Sequence, residues 1–285
     1  MTAADLTSFF IMLREGFEAT LVVGILLAYL KQVGALRHAR FVWGGVGAAI
    51  LVSLGILAAL GVLGTGFEGA TRQVFEGSTM LLATIVLTWM VFWMIRQSRL
   101  IKAELQRGVD RALAQGAGWG LLLLAFFAVV REGVETALLL QAAVFAAAGQ
   151  STLVGALVGL AGAVGLGLLI YVFGARIELR VFFGATAVVL LLFAAGLVSH
   201  AAHEFALAGY LPAIVERVWD TSAILPGSSG LGSLLRALFG YSDRPSLLEV
   251  LVYVAYLAIV LVLSRTGVAA ALTPAVRPAE KKTTA

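Results

Sequence analysis

Two short elements place arginine and glutamate inside long apolar runs, each with the pattern Arg-Glu-Gly-x-Glu, which we call REGxE. On an α-helix the arginine and the second glutamate of each element lie one turn apart, and the two glutamates diverge by about 60°. Each element therefore presents two carboxylates and one guanidinium on one side of a helix. Two facing elements would supply four carboxylates against two guanidiniums, a balance that favours a cation. The six residues are Arg14, Glu15, Glu18, Arg131, Glu132 and Glu135.

These six side chains are costly wherever they face lipid. At roughly 2.5–3.5 kcal/mol each, their burial in a bilayer would cost about 15–20 kcal/mol in total. That sum exceeds the net stability of a typical domain, about 5–15 kcal/mol. The side chains are therefore expected to face one another, water or an ion.

Three roles fit such groups: metal ligands, a relay for protons, or structural arginine–glutamate clamps. Intramembrane charge is by default a functional feature, and a clamp needs only one glutamate per arginine. Carboxylate oxygen suits Fe(III), Mn(II), Mg(II) or Ca(II) better than Cu(I). Charge and ligand type do not choose among these hard cations.

The composition indicates a membrane protein. Of 285 residues, 61% are hydrophobic and only 13% are charged, whereas charged residues make up roughly 25% of a soluble domain. The 20 Lys and Arg residues exceed the 16 Asp and Glu residues, but they lie mostly in short connections, so nucleic acid is not an expected partner. The sequence has no cysteine, which excludes thiolate metal sites, iron–sulfur clusters and disulfides.

Seven apolar runs are each long enough, or nearly so, for the roughly 20 residues of a membrane-crossing helix. They predict an all-α polytopic membrane protein with one transmembrane domain over residues 1–266, followed by a short cytoplasmic tail over residues 267–285. The bilayer is the first expected partner. The runs cover residues 6–30, 41–64, 74–95, 118–146, 152–173, 181–200 and 248–265.

An internal repeat relates the first three runs to the next three. Besides the two REGxE elements, Val74–Thr79 is echoed by Val181–Thr186. A three-span unit over about 5–95 is thus repeated over about 117–204, and because three is odd the second copy is inverted, with its sites near the membrane midplane. The seventh helix, about 248–266, lies outside this 3+3 repeat.

Basic residues predict the orientation. Fourteen of the 20 Lys and Arg residues fall after runs one, three, five and seven, and only four fall in the alternate connections. Because cytoplasmic loops collect basic residues, the N-terminus is predicted outside and the C-terminus inside a cytoplasmic (inner) membrane.

Four further residues are candidates for an outer entrance. His200, His203 and Glu204 follow one another at the end of run six, and Glu76 begins run three. On one helix the first three could converge on a metal, or they could form a polar helix end with satisfied histidines. Their order does not match the HExxH or HxxEH patterns of zinc peptidases. Glu76 is either an entrance carboxylate or an interfacial residue.

The outer connection over about 201–247 is too long for a simple turn. It contains an apolar patch, Leu231–Phe239. A helix lying on the membrane, a cap over the pore and a dock for a partner all fit this patch.

The paired REGxE motifs in seven apolar runs resemble the oxidase-dependent iron permease family. Glu76-Gly77, Thr88-Trp89-Met90 and the His200 to Glu204 cluster add to the resemblance. It implies that the four motif glutamates, Glu15, Glu18, Glu132 and Glu135, are the iron-translocating ligands, and that Arg14 and Arg131 balance their charge. The family also contains lead-uptake members.

The resulting prediction is a high-affinity iron permease, not an enzyme, that imports iron as its substrate and holds no permanent cofactor. The resemblance implies a separate iron-oxidising or iron-delivering protein on the outer side, and the sequence has no haem, flavin or copper motif of its own. One alternative is a proton-coupled transporter of another divalent cation, Mn(II) or Pb(II). The other is a membrane subunit that senses metal without moving it. The oligomeric state is open.

Overall fold

Helices account for most of the described chain. The computed structural model describes residues 3–97, 101–116, 118–147, 152–173, 179–212, 215–227 and 229–266, and no strand occurs among them. The all-helical class is therefore confirmed for these residues, whereas the predicted tail over 267–285 lies outside them. A 3₁₀ turn, Leu36–His38, precedes α2. The helices are α1 (Ala3–Gln32), α2 (Ala39–Gly66), α3 (Gly69–Gln97), α4 (Ile101–Ala114), α5 (Gly118–Ala146), α6 (Leu153–Phe173), α7 (Leu179–Leu207), α8 (Gly230–Phe239) and α9 (Leu247–Thr266).

Within the described residues, four stretches are long and apolar enough to cross a membrane by length and composition alone: Leu36–Gly66, Gly69–Met94, Val181–Leu207 and Leu247–Arg265. Helices α1 and α5 have 30 and 29 residues, but each carries the three ionisable residues of a REGxE element within its apolar stretch. The apolar part of α6 is shorter, Leu153–Leu169. The composition prediction of a membrane protein therefore agrees with the helices, and the count of seven crossings remains a prediction.

Helix α4 was not predicted, because its sequence is polar and short. It is amphipathic: Leu105, Val109 and Ala112 are buried and pack with residues of α1, α2 and α5. A hydrogen bond of 2.8 Å from the Tyr29 hydroxyl to Asp110 ties the end of α1 to α4. The connection between α3 and α5 is thus a packed helix.

Helix α8 occupies the apolar patch of the long connection before α9. The Ser229 hydroxyl accepts a hydrogen bond from the Gly232 N–H and caps the helix, which ends at Gly240 with φ of +69°. Gly240 lies against Gly196 of α7, backbone to backbone. Helix α8 also packs on α1, so it connects α1 with α7.

An exposed carboxylate ties the rest of this connection together. Asp220 lies 3.1 Å from Arg244 and 3.4 Å from Arg217. Hydrogen bonds from the Ser222 hydroxyl and N–H, with the Arg244 charge, lower the pKa of Asp220 to about 2. Because this pKa is below the ordinary value, the contribution of the carboxylate is fully present above about pH 4 and is lost only as the pH falls through about 2.

The two glutamate-bearing helices each pack on a helix from the other half of the chain. Helix α1 packs most extensively on α6, and α5 packs most extensively on α2, while α3 packs on α7. Glycine permits the close crossings: Gly155 of α6 lies on the Asp5 backbone of α1, and Gly45 of α2 lies on the Leu122 carbonyl of α5. The Gly155 N–H also donates to the Asp5 carboxylate at 3.1 Å. This arrangement brings α1 and α5 side by side.

Gly155→Ala is expected to lower the thermal stability of the protein. A methyl group at this position would collide with the Asp5 carbonyl and the Ser8 hydroxyl, and overpacking of this kind costs about 1–3 kcal/mol. Gly165→Ala on the same helix is the matched control, because no atom lies within 4 Å of its added Cβ. Both changes add the same helix propensity, so melting curves of the detergent-extracted protein isolate the collision. Equal melting temperatures would show that the crossing can relax.

Candidate metal centre

The two REGxE elements meet where α1 crosses α5. Carboxylate oxygens of Glu15, Glu132 and Glu135 all lie within 4.8 Å of one another, and all three residues are buried. Within the described ranges, this is the one group of three or more His, Asp or Glu side chains that close together. Oxygens with this spacing can contact a single ion at about 2.0–2.6 Å after small side-chain rotations.

Each arginine pairs with the glutamates of its own element. Arg14 Nη1 lies 3.1 Å from Glu15 Oε1, and Arg14 Nη2 lies 3.3 Å from Glu18 Oε1. Arg131 Nε lies 3.1 Å from Glu135 Oε1 and 3.9 Å from Glu132 Oε1. Two guanidiniums thus face four carboxylates, which leaves two negative charges uncompensated if all are ionised.

Several carboxylate oxygens at the centre lack a hydrogen-bond partner in the described part of the chain. The second oxygens of Glu15, Glu132 and Glu135 are buried and unpaired, and Glu18 Oε1 lies near Arg14 without hydrogen-bond geometry. A buried, unsatisfied polar atom loses its hydration without compensation. A bound cation would supply that compensation, so the donor set fits a hard metal ion.

Helix α3 holds both arginines, through residues that the sequence analysis did not assign to the site. Arg14 is completely buried, with Nη1 3.9 Å from Met90 Sδ and Nη2 3.6 Å from Met94 Sδ. The Arg131 guanidinium lies 4.2 Å from the Trp93 ring centroid and 5.8 Å from that of Trp89. The sequence signal for these four residues is a pair of i, i+4 stripes on adjacent sides of α3.

A cavity of about 540 Å³ reaches the centre from one side. It lies between α1, α2, α5 and α6, and Glu15 and Glu132 are its acidic lining residues. Gly16 and Gly133 also line it; Gly16 lies against Ala163 of α6, and Gly133 lies against Ser53 of α2. The glycine of each motif thus allows close approach of a neighbouring helix, as its small size predicts.

A model of the iron permease FTR1 family matches residues 5–276. The chain belongs to this iron permease family. It is 41% identical over 251 residues to the ferrous iron permease EfeU of Escherichia coli O6:K15:H31 (strain 536 / UPEC). The aligned region covers 87% of this chain and 91% of that protein. It is 37% identical over 257 residues to EfeU of Yersinia pestis, which covers 90% and 91% of the two chains. No solved structure matches the chain.

Family membership confirms the resemblance predicted from the paired motifs. Members of this family are iron permeases, which are membrane transporters rather than enzymes. With its long apolar helices, the chain is an integral membrane protein of iron transport.

The predicted entrance residues of this permease have separate partners. His200 Nδ1 lies 2.8 Å from the Gly196 carbonyl, on the preceding turn of α7. His203 Nδ1 lies 2.8 Å from Glu249 Oε1 of α9, a residue that sequence analysis did not single out. Glu249 was missed because it stands alone at the start of a run, where it reads as an N-terminal helix charge.

The other two entrance residues lie where α3 and α7 meet. Glu76 is buried and its Oε1 accepts a 2.7 Å hydrogen bond from Arg72 Nε. Gly77 packs on the Ala201 carbonyl and on Glu204. His203 and Glu204 therefore lie at two neighbouring contacts of α7, one with α9 and one with α3, instead of forming a single three-residue site.

Proposed function

We propose that the protein imports iron across the cytoplasmic membrane through the four REGxE glutamates. The observation that carries the proposal is the approach of Glu15, Glu132 and Glu135 oxygens within 4.8 Å, inside two long apolar helices. Iron is the cargo, and no permanently bound cofactor is proposed. The relatives are named ferrous iron permeases, so Fe(II) is the proposed form at the entrance.

A separate protein that oxidises or delivers iron is proposed to act at the outer face. The connection between α7 and α9 offers it a surface, since Ile224 is 88% exposed and Tyr210 is 73% exposed. Exposed apolar side chains beside charged ones such as Asp220 and Arg244 are typical of a surface that another protein or the membrane interface covers. Such a partner would couple oxidation to uptake.

The proposed architecture is seven membrane-crossing helices, six of which form an inverted 3+3 repeat. In this repeat α1 corresponds to α5, α2 to α6, and α3 to α7. The packing of α1 on α6 then corresponds to the packing of α5 on α2, and the packing of α3 on α7 corresponds to itself, as the observed contacts require.

Matching contacts at the crossings also support this symmetry. The contact of Gly45 with Leu122 corresponds to that of Gly155 with Asp5, and the contact of Gly133 with Ser53 corresponds to that of Gly16 with Ala163. The sequence offsets agree as well. The sequence separation between Gly45 and Gly155 equals that between Ser53 and Ala163. Likewise, the separation between Asp5 and Leu122 equals that between Gly16 and Gly133.

Reporter fusions after Arg40 and Arg107 are expected to score cytoplasmic, and a fusion near residue 228 is expected to score external. The bond between Tyr29 and Asp110 places the end of α1 beside α4, so the first two fusion points belong to one side. Basic residues assign that side to the cytoplasm. Alkaline phosphatase fusions report an external position, and green fluorescent protein fusions report a cytoplasmic position. The reverse pattern would overturn the orientation.

His203→Ala is expected to raise the half-saturating iron concentration more than it lowers the maximal uptake rate. The reason is that His203 and Glu249 sit at the predicted outer end of α7 and α9, where a metal would first bind, and not at the REGxE centre. His38→Ala, at the far end of α1 and α2, is the matched histidine control. Initial uptake rates over a range of iron concentrations provide both parameters, and an unchanged half-saturation would return His203 to a structural role.

The function itself is tested by radiolabelled uptake into proteoliposomes that contain the purified protein. Fe(II) and Fe(III) are supplied separately, with Mn(II), Zn(II) and Pb(II) as competitors, and Glu104→Gln on the exposed face of α4 is the charge control. Uptake of Fe(II) by the wild type and the control is the expected result. Entry of labelled Mn(II) or Pb(II) without iron would assign a different cation. Metal binding with no uptake of any ion, even after a periplasmic extract is added, would indicate a sensor.

A further inference from the structure

Both arginines of the metal centre rest on one helix. Trp89, Met90, Trp93 and Met94 of α3, which we call the arginine bracket, contact Arg14 on the methionine side and Arg131 on the tryptophan side. The repeat does not reproduce this arrangement, because Arg131 also turns to α3 and not to α7. The two arginines therefore have chemically different surroundings although their motifs are alike.

Among the described residues, Arg14 has no group other than its glutamates that compensates its positive charge. The residue is fully buried, and among the described residues its Nε has no hydrogen-bond partner and its polar contacts beyond Glu15 and Glu18 are two thioether sulfurs. A thioether is a weak acceptor that does not compensate a full positive charge. Displacing Arg14 from its glutamates would leave a buried, unpaired cation.

Arg131, in contrast, has a second partner for its charge, the tryptophan rings of α3. Its side chain is 35% exposed, and the guanidinium lies over the faces of Trp93 and, farther away, Trp89. The two rings are stacked, with centroids 6.1 Å apart and planes inclined by 26°. An indole face attracts a guanidinium without requiring a fixed hydrogen-bond geometry. Arg131 can therefore leave its carboxylates and still have a partner for its charge.

The glutamates paired with Arg131 are the ones a metal needs. Two of the three clustered carboxylates, Glu132 and Glu135, belong to its element, whereas Glu15 alone comes from the Arg14 element. The second oxygen of Glu135 is unpaired, so a cation can bind it directly, and a cation that takes both Glu135 oxygens competes with Arg131 for the one at 3.1 Å. The free energy of that competition depends on where the displaced guanidinium goes.

We propose that Trp93 is a positioning residue of the permease: its indole, whose ring centroid already lies 4.2 Å from the Arg131 guanidinium, becomes the main partner of that group when a divalent cation takes Glu132 and Glu135, while Arg14 stays paired. The two REGxE elements then have different roles. In the element of Arg131 the metal replaces the arginine as the partner of the glutamates, whereas in the element of Arg14 the arginine–glutamate pairing does not change. This inference rests on the proposed function, because it assigns the metal to that same centre.

The test is equilibrium binding of radiolabelled Fe(II) to the purified protein under anaerobic conditions, together with uptake kinetics. Trp93→Leu is expected to weaken binding and to raise the half-saturating concentration, each by about tenfold, with a smaller change in maximal rate. Trp93→Phe, which keeps an aromatic face, is expected to recover most of the affinity. Trp119→Leu, at a largely exposed tryptophan of α5, controls for the loss of an indole from a membrane helix.

The outcomes separate this inference from the function beneath it. Wild-type protein that binds no Fe(II) would overturn the metal centre itself. Normal wild-type binding with equal affinity in Trp93→Leu would overturn the role of Trp93 alone. If Trp93→Leu fails to fold, Trp93→Phe and Trp93→Tyr provide the test, because both keep an aromatic face. Near-normal Fe(II) affinity in both would support the role of Trp93. An Fe(II) affinity that falls in parallel with the melting temperature, although the aromatic face is kept, would show that Trp93 is only a structural residue.

Discussion

Glu132→Gln is expected to reduce the initial rate of iron uptake by about 100-fold or more, at unchanged protein abundance, because even groups outside the ligand shell cost 10–100-fold when removed from metal sites. Glu132 is the best single position for this test. One of its oxygens is unpaired, and the other lies 3.9 Å from Arg131, beyond hydrogen-bond distance. The change to glutamine therefore removes a ligand charge without breaking a short bond.

The same assay grades the other motif glutamates. Glu18 lies outside the group of three close carboxylates, so Glu18→Gln is expected to retain more uptake than Glu132→Gln. Immunoblots of the membrane fraction report abundance. Near-normal uptake in Glu132→Gln would remove the REGxE carboxylates from the transport path and leave the clamp interpretation.

Arg14→Gln is expected to destabilise the protein by about 3–5 kcal/mol, the usual cost of breaking a buried ion pair by removing one partner. Arg14 is fully buried between Glu15 and Glu18, and its loss leaves two carboxylates without a cation in an apolar surrounding. The expected readout is a lower melting temperature and less monodisperse protein after extraction in detergent.

Two comparisons make the cause of that loss specific. Arg131→Gln is expected to cost less, because the Arg131 side chain is 35% exposed whereas that of Arg14 is fully buried. Adding Glu15→Gln to Arg14→Gln is expected to restore part of the stability, since one uncompensated charge is removed. A double variant no more stable than Arg14→Gln would assign the effect to lost packing instead of charge.

The REGxE face could be predicted from sequence because it depends only on helix periodicity. Spacing of one turn between Arg14 and Glu18 is observed as a 3.3 Å ion pair. The meeting of Glu15 with Glu132 and Glu135 required one more step, the internal repeat. Both steps use local patterns that a single chain displays.

The contacts of α3 could not be predicted in the same way. Periodicity shows that Trp89 and Trp93 share one side of α3, but it does not show which helix that side meets or at what height. That register depends on how α3 packs on α7 and α5, which is a property of the three-dimensional arrangement of both halves. Glu249 was hidden for the same reason, since its partner His203 lies on a different helix.

The crossed pairing of α1 with α6 and of α2 with α5 also constrains the order in which the chain can mature. Helices α1 and α2 contact each other only slightly, so each lacks its main packing partner until the second half is synthesised. A nascent chain halted before α5 would hold its buried Asp5, Arg14 and Glu15 without their final surroundings. The three close carboxylates come from α1 and α5, so the acidic centre is complete only after α5 has been synthesised.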